Sequence, residues 1–317
     1  MRKLAIIDDY EELALEFGDW DSLPAEIQID VFNDHLVEET SIANRLLPYE
    51  ILVIMRERTL FSRSLIEKLS NLKLLVTTGP RNQSIDLAAC SEKGIVVCGT
   101  ESGKSAPAEH TWALILALLK SIPQADHATR MGRWGGAFTT ELDGKTLGIL
   151  GLGRLGTKVA QVGLAFGMKV IAWSQNLTES RASEVGALRV EKDELLTESD
   201  IISIHLVLSD RTRGLVGARE IGLMKPTAYI VNTSRGPIVE EGALIKALKA
   251  EKIAGAGIDV FDTEPLPSDH PFLTLTNTVI TPHIGYVSRE NFQTFFKQAS
   301  EDVASWLTGQ PIRVLNP

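Results

Sequence analysis

Between a short apolar run, Thr146-Leu-Gly-Ile-Leu150, and a segment with helical spacing, Lys158-Val-Ala-Gln-Val-Gly-Leu-Ala-Phe166, stands Gly151-Leu-Gly-Arg-Leu-Gly156. No other stretch restricts the fold of this chain as much. The apolar run reads as a buried strand and the second segment as a helix, which is the context a G-x-G-x-x-G run requires. The first glycine permits a tight turn, the second lets a pyrophosphate approach the backbone, and the third lets helix and strand pack closely. The free N–H groups at the helix start then face the phosphates, and the helix dipole favours their charge. A second strand, Met168-Lys-Val-Ile-Ala-Trp173, follows at the expected distance. Dinucleotide binding is the expectation, against the plainer reading of a glycine-rich turn with no ligand.

The remainder of the chain alternates strand and helix patterns. Residues 1 to about 100 offer strands at Leu4–Ile7, Ile27–Phe32, Ile51–Met55, Leu72–Thr77 and Ile95–Cys98, with helices near Glu38–Leu47, Ser62–Leu69 and Asp86–Glu92. This predicts a parallel sheet covered by helices, without a glycine fingerprint. Ala108–Leu119 is too long for a strand and too short to span a membrane, so it reads as a buried helix. Asp126–Trp134 is polar and reads as an exposed arm. Further strands are expected at Leu147–Leu150, Val170–Trp173, Ile201–His205, Tyr229–Asn232, Ala256–Val260 and Val279–Thr281, a count that suits a complete doubly wound domain. The closing segment Arg289–Leu307 has Phe292, Phe295, Phe296, Ala299, Val303, Trp306 and Leu307 at helical spacing, so it packs a core. Its natural home is the first domain, which would make that domain discontinuous.

Size and charge narrow the function classes. A chain of 317 residues suits two domains, and 44% hydrophobic residues suffice for two cores. The net charge of -9 argues against a broad nucleic-acid surface, and no apolar run is long enough for a membrane span. The N-terminus reaches Asp8-Asp9 directly after one short apolar run and reads as a first strand, not a signal peptide. Cys90 and Cys98 are expected as buried thiols, with the cytoplasm as compartment. No His/Cys/Asp spacing suggests a metal site, and His35, His127 and His270 read as surface residues.

Three segments where apolar strands stop carry reactive side chains: Asn232-Thr-Ser-Arg235, Gly257-Ile-Asp259-Val-Phe-Asp-Thr-Glu264 and Thr281-Pro-His283-Ile-Gly285. Ligands bind at such strand ends in open α/β sheets. Hydride transfer at carbon requires that an oxygen gain or lose a proton, and histidine is suited to that near neutral pH. A carboxylate such as Glu264 would orient the ring of His283, and a guanidinium such as Arg235 would hold a substrate carboxylate in a fork. Taken singly, Arg235 also reads as a surface ion pair and Glu264-Pro265 as an ordinary loop.

These three segments, with Leu142–Gly156 and the tail Trp306–Pro317, resemble the D-isomer-specific 2-hydroxyacid dehydrogenase family over nearly the whole chain. The resemblance implies an α/β protein of two doubly wound domains: a Rossmann dinucleotide-binding domain, 101–287, inserted into a flavodoxin-like substrate domain, 1–100 and 288–317. It implies a 2-oxo acid reductase with Arg235, Glu264 and His283 as the catalytic set. Gly151, Gly153, Arg154, Leu155, Gly156, Ser174, His205, Thr233, Asp259, His283 and Gly285 are the implied cofactor-binding residues. Arg56, Gly79, Arg81 and Arg235 are implied on the substrate side, with His110 as structural support. It further implies a small 2-oxo or 2-hydroxy acid as substrate, and a homodimer through the dinucleotide-binding domains with the 120–145 arm contributing.

The sequence departs from the family pattern twice. Ser174 occupies the position where an acidic residue usually holds the ribose 2′-hydroxyl of NAD. A serine does not repel a 2′-phosphate and Arg181 is within sequence reach, so the expectation inclines to NADP(H) over NAD(H). The substrate loop reads Thr78-Gly-Pro-Arg81-Asn82, where Pro80 removes a backbone donor and Arg81 adds a cation. Arg81 either meets a second anionic group or is a solvated loop residue. Phosphoglycerate and phosphite dehydrogenases share the triad and stay open as alternatives. Formate dehydrogenase typically has Gln where Glu264 stands. From another class, a dinucleotide-sensing corepressor would keep the same three residues.

Overall fold

A computed structural model describes residues 1–103, 105–135 and 138–316. Gly136, in the expected arm, and Pro317, at the end of the tail, lie outside the described residues. The chain divides into two compact units, Met1–Gly103 with Val287–Pro317, and Lys104–Tyr286.

In the first unit the strands are β1 (Arg2–Ile7), β2 (Ile27–Phe32), β3 (Ile51–Ile54), β4 (Leu74–Thr77) and β5 (Val96–Gly99). The helices are α1 (Ala14–Phe17), α2 (Glu39–Leu46), α3 (Arg63–Lys68) and α4 (Leu87–Glu92). All strand pairs are parallel, in the order β2-β1-β3-β4-β5. The inner strands are apolar throughout because both faces are covered: Ile51, Leu52, Val53, Leu74, Leu75 and Val76 have no exposed surface. The last helix of the chain, α12 (Arg289–Leu307), packs on α1 and β4 and buries Phe292, Phe295, Phe296, Ala299 and Val303. The residues after it run back along β5, with Val314 opposite Cys98 in an antiparallel bridge.

In the second unit the strands are β6 (Thr146–Leu150), β7 (Lys169–Trp173), β8 (Leu188–Arg189), β9 (Ile201–Ile204), β10 (Tyr229–Asn232), β11 (Gly255–Ile258) and β12 (Thr278–Ile280). The helices are α5 (Ala106–Leu119), α6 (Ile122–Arg130), α7 (Arg154–Ala165), α8 (Glu179–Ser183), α9 (Lys192–Glu198), α10 (Ala218–Leu223) and α11 (Glu241–Lys249). The sheet is parallel in the order β12-β11-β10-β9-β6-β7-β8. The strand order therefore reverses at β6, whose neighbours are β7 and β9, and such a switch point opens a crevice at the strand ends. The short edge strand β8 has no counterpart among the expected strands, because two residues carry no periodicity. The expected arm contains a helix, α6, with no buried residue. Two histidines expected on the surface are engaged instead: His35 Nδ1 lies 2.9 Å from the buried Asp8 carboxylate, and His270 Nε2 lies 2.9 Å from Glu241. Single-residue polarity cannot reveal a partner 27 or 29 positions away. Cys90 and Cys98 are free and buried, and burial pushes their thiols up to about 11 and about 12.

Candidate active site

The glycine turn follows β6 directly. Gly151 has φ +103, and a Cβ there would stand 2.6 Å from the carbonyl oxygen of His205. A Cβ on Gly156 would overlap the carbonyl oxygen of Gly151. Packing within the unit therefore demands both glycines. Gly153 differs: no atom lies within 4 Å of a Cβ built on it. Among the described residues nothing requires glycine there, whereas a backbone that must touch a pyrophosphate does. Gly153 is also the N-cap of α7, so the first-turn amides of Arg154, Leu155 and Gly156 are ones that a helix leaves without intrahelical partners. The turn thus fits a dinucleotide pyrophosphate.

At the end of β9, Ser203 Oγ is 2.8 Å from His205 Nε2, and burial pushes the His205 imidazole down to about 4, so it is neutral. At the end of β10, Asn232 holds the turn by donating to the Arg235 carbonyl at 2.9 Å and accepting from Ser234 N at 3.0 Å. Thr111 donates to the Pro107 carbonyl, so the 2.8 Å contact between Thr111 and Thr233 hydroxyls has Thr233 as donor. Arg235 Nη1 donates to the Ser234 carbonyl at 2.7 Å.

The other two segments converge on the same edge. A Cβ on Gly236 would overlap the carbonyl carbon of Phe261, so the Arg235 turn lies against the loop after β11. In that loop, Glu264 Oε1 accepts from Phe261 N at 2.9 Å, and Glu264 Oε2 is 2.6 Å from His283 Nδ1. Glu264 and His283 are thus in direct contact, and the backbone that follows Arg235 lies against the loop that carries Glu264. The carboxylate holds the ring at Nδ1. His283 has φ +54, a left-handed conformation rare for non-glycine residues.

Asp259, only 1% exposed, organises the turn around His283. Its Oδ1 accepts from Thr281 Oγ1 at 2.6 Å and Ile284 N at 2.9 Å, and its Oδ2 accepts from Gly285 N at 2.9 Å. His110 Nε2 adds a contact to Oδ1 at 3.2 Å. Burial alone would push the carboxyl up; the hydrogen bonds from His110 and Thr281, with the charges of His110 and His283, outweigh it and hold the carboxyl below its ordinary value. Among the described residues Oδ2 accepts from Gly285 N, and a carboxylate oxygen has two acceptor positions.

Around the end of β7, Ser174 is partly exposed. Arg181 donates to Thr157 Oγ1 at 3.2 Å and pairs with Glu184 at 3.0 Å. Arg211, absent from the expected site residues, reaches Gln175 Oε1 at 3.4 Å. The one sequence signal for it is its place after the strand next to β6.

The remaining expected residues lie at the strand ends of the first unit. Arg56 follows β3 with φ +51, and its N–H donates to Thr78 Oγ1 at 2.9 Å. Its guanidinium covers Gly79, where a Cβ would overlap Nη1. Asn82 Nδ2 donates to the Arg56 carbonyl at 2.5 Å and to Thr77 Oγ1 at 2.9 Å, tying this loop to β3. The Gly79 amide is engaged with Thr100 Oγ1 at 2.7 Å. Arg81 is exposed.

The family model of the D-isomer specific 2-hydroxyacid dehydrogenase NAD-binding domain matches residues 112–285. A glyoxylate reductase of Aeropyrum pernix is 41% identical over 256 residues, 78% of this chain and 76% of its own. A D-3-phosphoglycerate dehydrogenase of Archaeoglobus fulgidus is 35% identical over 314 residues, 98% of this chain, which spans only 58% of that relative's length. The crystal structure of a phosphoglycerate oxidoreductase from Vibrio cholerae superposes with a TM-score of 0.91 at 37% identity, covering 98% of this chain and all of that one.

Proposed function

The chain belongs to the D-isomer specific 2-hydroxyacid dehydrogenase family, oxidoreductases with a nicotinamide-dinucleotide-binding domain, and from that premise we propose that it reduces a small 2-oxo acid to the D-2-hydroxy acid. The observation that carries this reading is the 2.6 Å contact of Glu264 with His283 Nδ1, with Glu264 itself anchored on Phe261 N. The cofactor, when bound, supplies the hydride. His283 Nε2 gives the proton to the substrate oxygen, and Glu264 stabilises the charged ring and fixes its orientation. Arg235 holds the substrate carboxylate and polarises the carbonyl.

Gly151, Gly153, Arg154, Leu155 and Gly156 hold the pyrophosphate. His205, Thr233 and Gly285 would lie toward the nicotinamide, and the second acceptor position on Asp259 Oδ2 would suit a carboxamide N–H. The unit built on β6–β12 is the dinucleotide-binding domain and the other the substrate domain, contributing Arg56, Gly79 and Arg81. With the Gly79 amide engaged, its part is to let the Arg56 guanidinium lie close. Ser174, without a carboxylate beside it, and the nearby Arg181 and Arg211 favour NADP(H). A kcat/KM far higher with NADH removes that preference. The protein is a cytoplasmic homodimer in this reading, supported by free buried thiols and by an arm whose Trp134 is 93% exposed and whose α6 buries nothing. Sedimentation as a monomer would end the dimer reading.

The test is NADH and NADPH oxidation with glyoxylate, hydroxypyruvate, pyruvate, phenylpyruvate and phosphohydroxypyruvate side by side. His283→Ala should lose at least 10²-fold in kcat, in line with general acid catalysis worth ~10²–10⁴, while keeping its affinity for the dinucleotide. An active His283→Ala enzyme overturns the assignment.

A further inference from the structure

We propose that His110 is a positioning residue for the acid/base imidazole, fixing the turn that presents His283 through Thr281 and Asp259. The inference rests on the reading of His283 as proton donor, and all four residues belong to the same compact unit.

Atom inventories set the direction of each bond. Thr281 Oγ1 lies 2.6 Å from Asp259 Oδ1. An ionised carboxylate only accepts, so the single hydroxyl hydrogen of Thr281 goes to Asp259. The lone pairs of the same oxygen then face His110 Nε2 at 2.9 Å, so Nε2 carries a hydrogen. That N–H is shared with Asp259 Oδ1 at 3.2 Å. Whether neutral or charged, His110 therefore donates from Nε2, and it orients the Thr281 hydroxyl toward the carboxylate.

The turn depends on this carboxylate. His283 sits at φ +54, a region that a non-glycine residue keeps only when its surroundings over-determine it. Its own N–H reaches back only two residues, to the Thr281 carbonyl at 3.0 Å. The next two amides, Ile284 and Gly285, both end on Asp259. Asp259 thus grips the backbone on one side of His283 and the Thr281 side chain on the other. His110 steadies that grip from α5, a helix distant in sequence, and its side chain is only 15% exposed. Space around the grip is tight: a Cβ on Gly285 would stand 2.8 Å from Asp259 Oδ2 and 3.5 Å from His110 Cδ2. Without the His110 donor the Thr281 hydroxyl keeps only its bond to Asp259, the carboxylate loses one direct donor, and the turn that aims His283 is held less firmly.

The experiment compares wild type with His110→Phe, which keeps a flat ring but has no donor, His110→Gln, which restores an N–H, and Thr281→Val, which cuts the chain one step later. Glyoxylate and hydroxypyruvate reduction are followed with the solvent isotope effect on kcat, alongside the imidazole NMR signal of the His283 Nδ1 proton and the melting temperature. His110→Phe and Thr281→Val should each lower kcat about tenfold or more and raise the isotope effect, because proton delivery becomes slower. They should shift the His283 proton signal, and the double variant should be no worse than either single one. His110→Gln should return kcat to within about threefold of wild type. An unchanged kcat and an unmoved His283 signal in a folded His110→Phe protein overturn the proposal. Should that variant fail to fold, the same two readings on Thr281→Val decide between support and rejection. If the wild type reduces neither 2-oxo acid, the proposed 2-oxo acid reduction falls by itself, and the NMR signal still decides whether His110 sets His283.

Discussion

Asp259 and Asp302 are two carboxylates almost equally buried, at 1% and 0% exposure, yet they titrate in opposite directions. Asp259, after β11, has both oxygens engaged by hydrogen bonds that include two backbone amides, and it stays below its ordinary value. Asp302, on α12, has Arg313 Nε on Oδ1 at 2.9 Å, but its Oδ2 has no partner among the described residues. Burial pushes it up to about 7; the Arg313 guanidinium opposes that only in part, and Glu301 adds to it. Depth in the protein therefore does not decide the charge: the count and direction of donors do. The carboxylate kept ionised organises the reacting residues. The other latches the tail, because Arg313 also donates to the Gln298 carbonyl and pairs with Glu301.

Three substitutions bear on this contrast. Asp259→Asn should have the largest effect. An amide cannot accept every donor that the carboxylate does, so kcat/KM for 2-oxo acid reduction should fall by about 10²-fold or more, roughly 3 kcal/mol of lost hydrogen bonds to a charged group. A loss below threefold would show that the turn keeps its shape unaided. Arg313→Ala strips one partner from a buried ion pair and should destabilise by roughly 3 kcal/mol, read from the denaturant midpoint, with kcat unchanged. A midpoint that does not move would mean that the tail is held by its β5 pairing alone.

Asp302→Asn should act least, and through pH. The unfolded carboxyl titrates near 3.8 and the folded one at about 7. Stability from the proton retained in the folded state is complete below 3.8 and is lost as pH rises through about 7. The variant should therefore gain on wild type between pH 4 and pH 8, by about 1–2 kcal/mol once the Arg313 contact is allowed for. A difference independent of pH would place Asp302 in the same class as Asp259.

Much of this contrast is invisible along the chain. Asp259 is legible as a site residue because it closes an apolar strand, and Glu264 and His283 because they follow strands in a family pattern. The bond joining Glu264 to His283 spans 19 residues, and the His110 contact with Thr281 spans 171, so no local pattern encodes either. His110 reads as structural support within a segment, Ala108-Glu-His-Thr111, that matches a family element. Arg313 and Asp302 carry no signal of their own, since neither stands at a strand end of the expected domains.

The sequence alone determined the local elements and their chemistry. Apolar runs with both faces covered become parallel strands, the phenylalanine stripe of α12 becomes core, and the glycines at 151 and 156 leave the chain no bulkier choice in that turn. Tertiary structure decided what each polar group became. It left Gly153 unconstrained by protein packing, engaged the Gly79 amide, and set His35 and His270 against carboxylates. The physical reason is that backbone conformation and burial follow short-range pattern, whereas protonation and aim depend on donors brought in from distant segments.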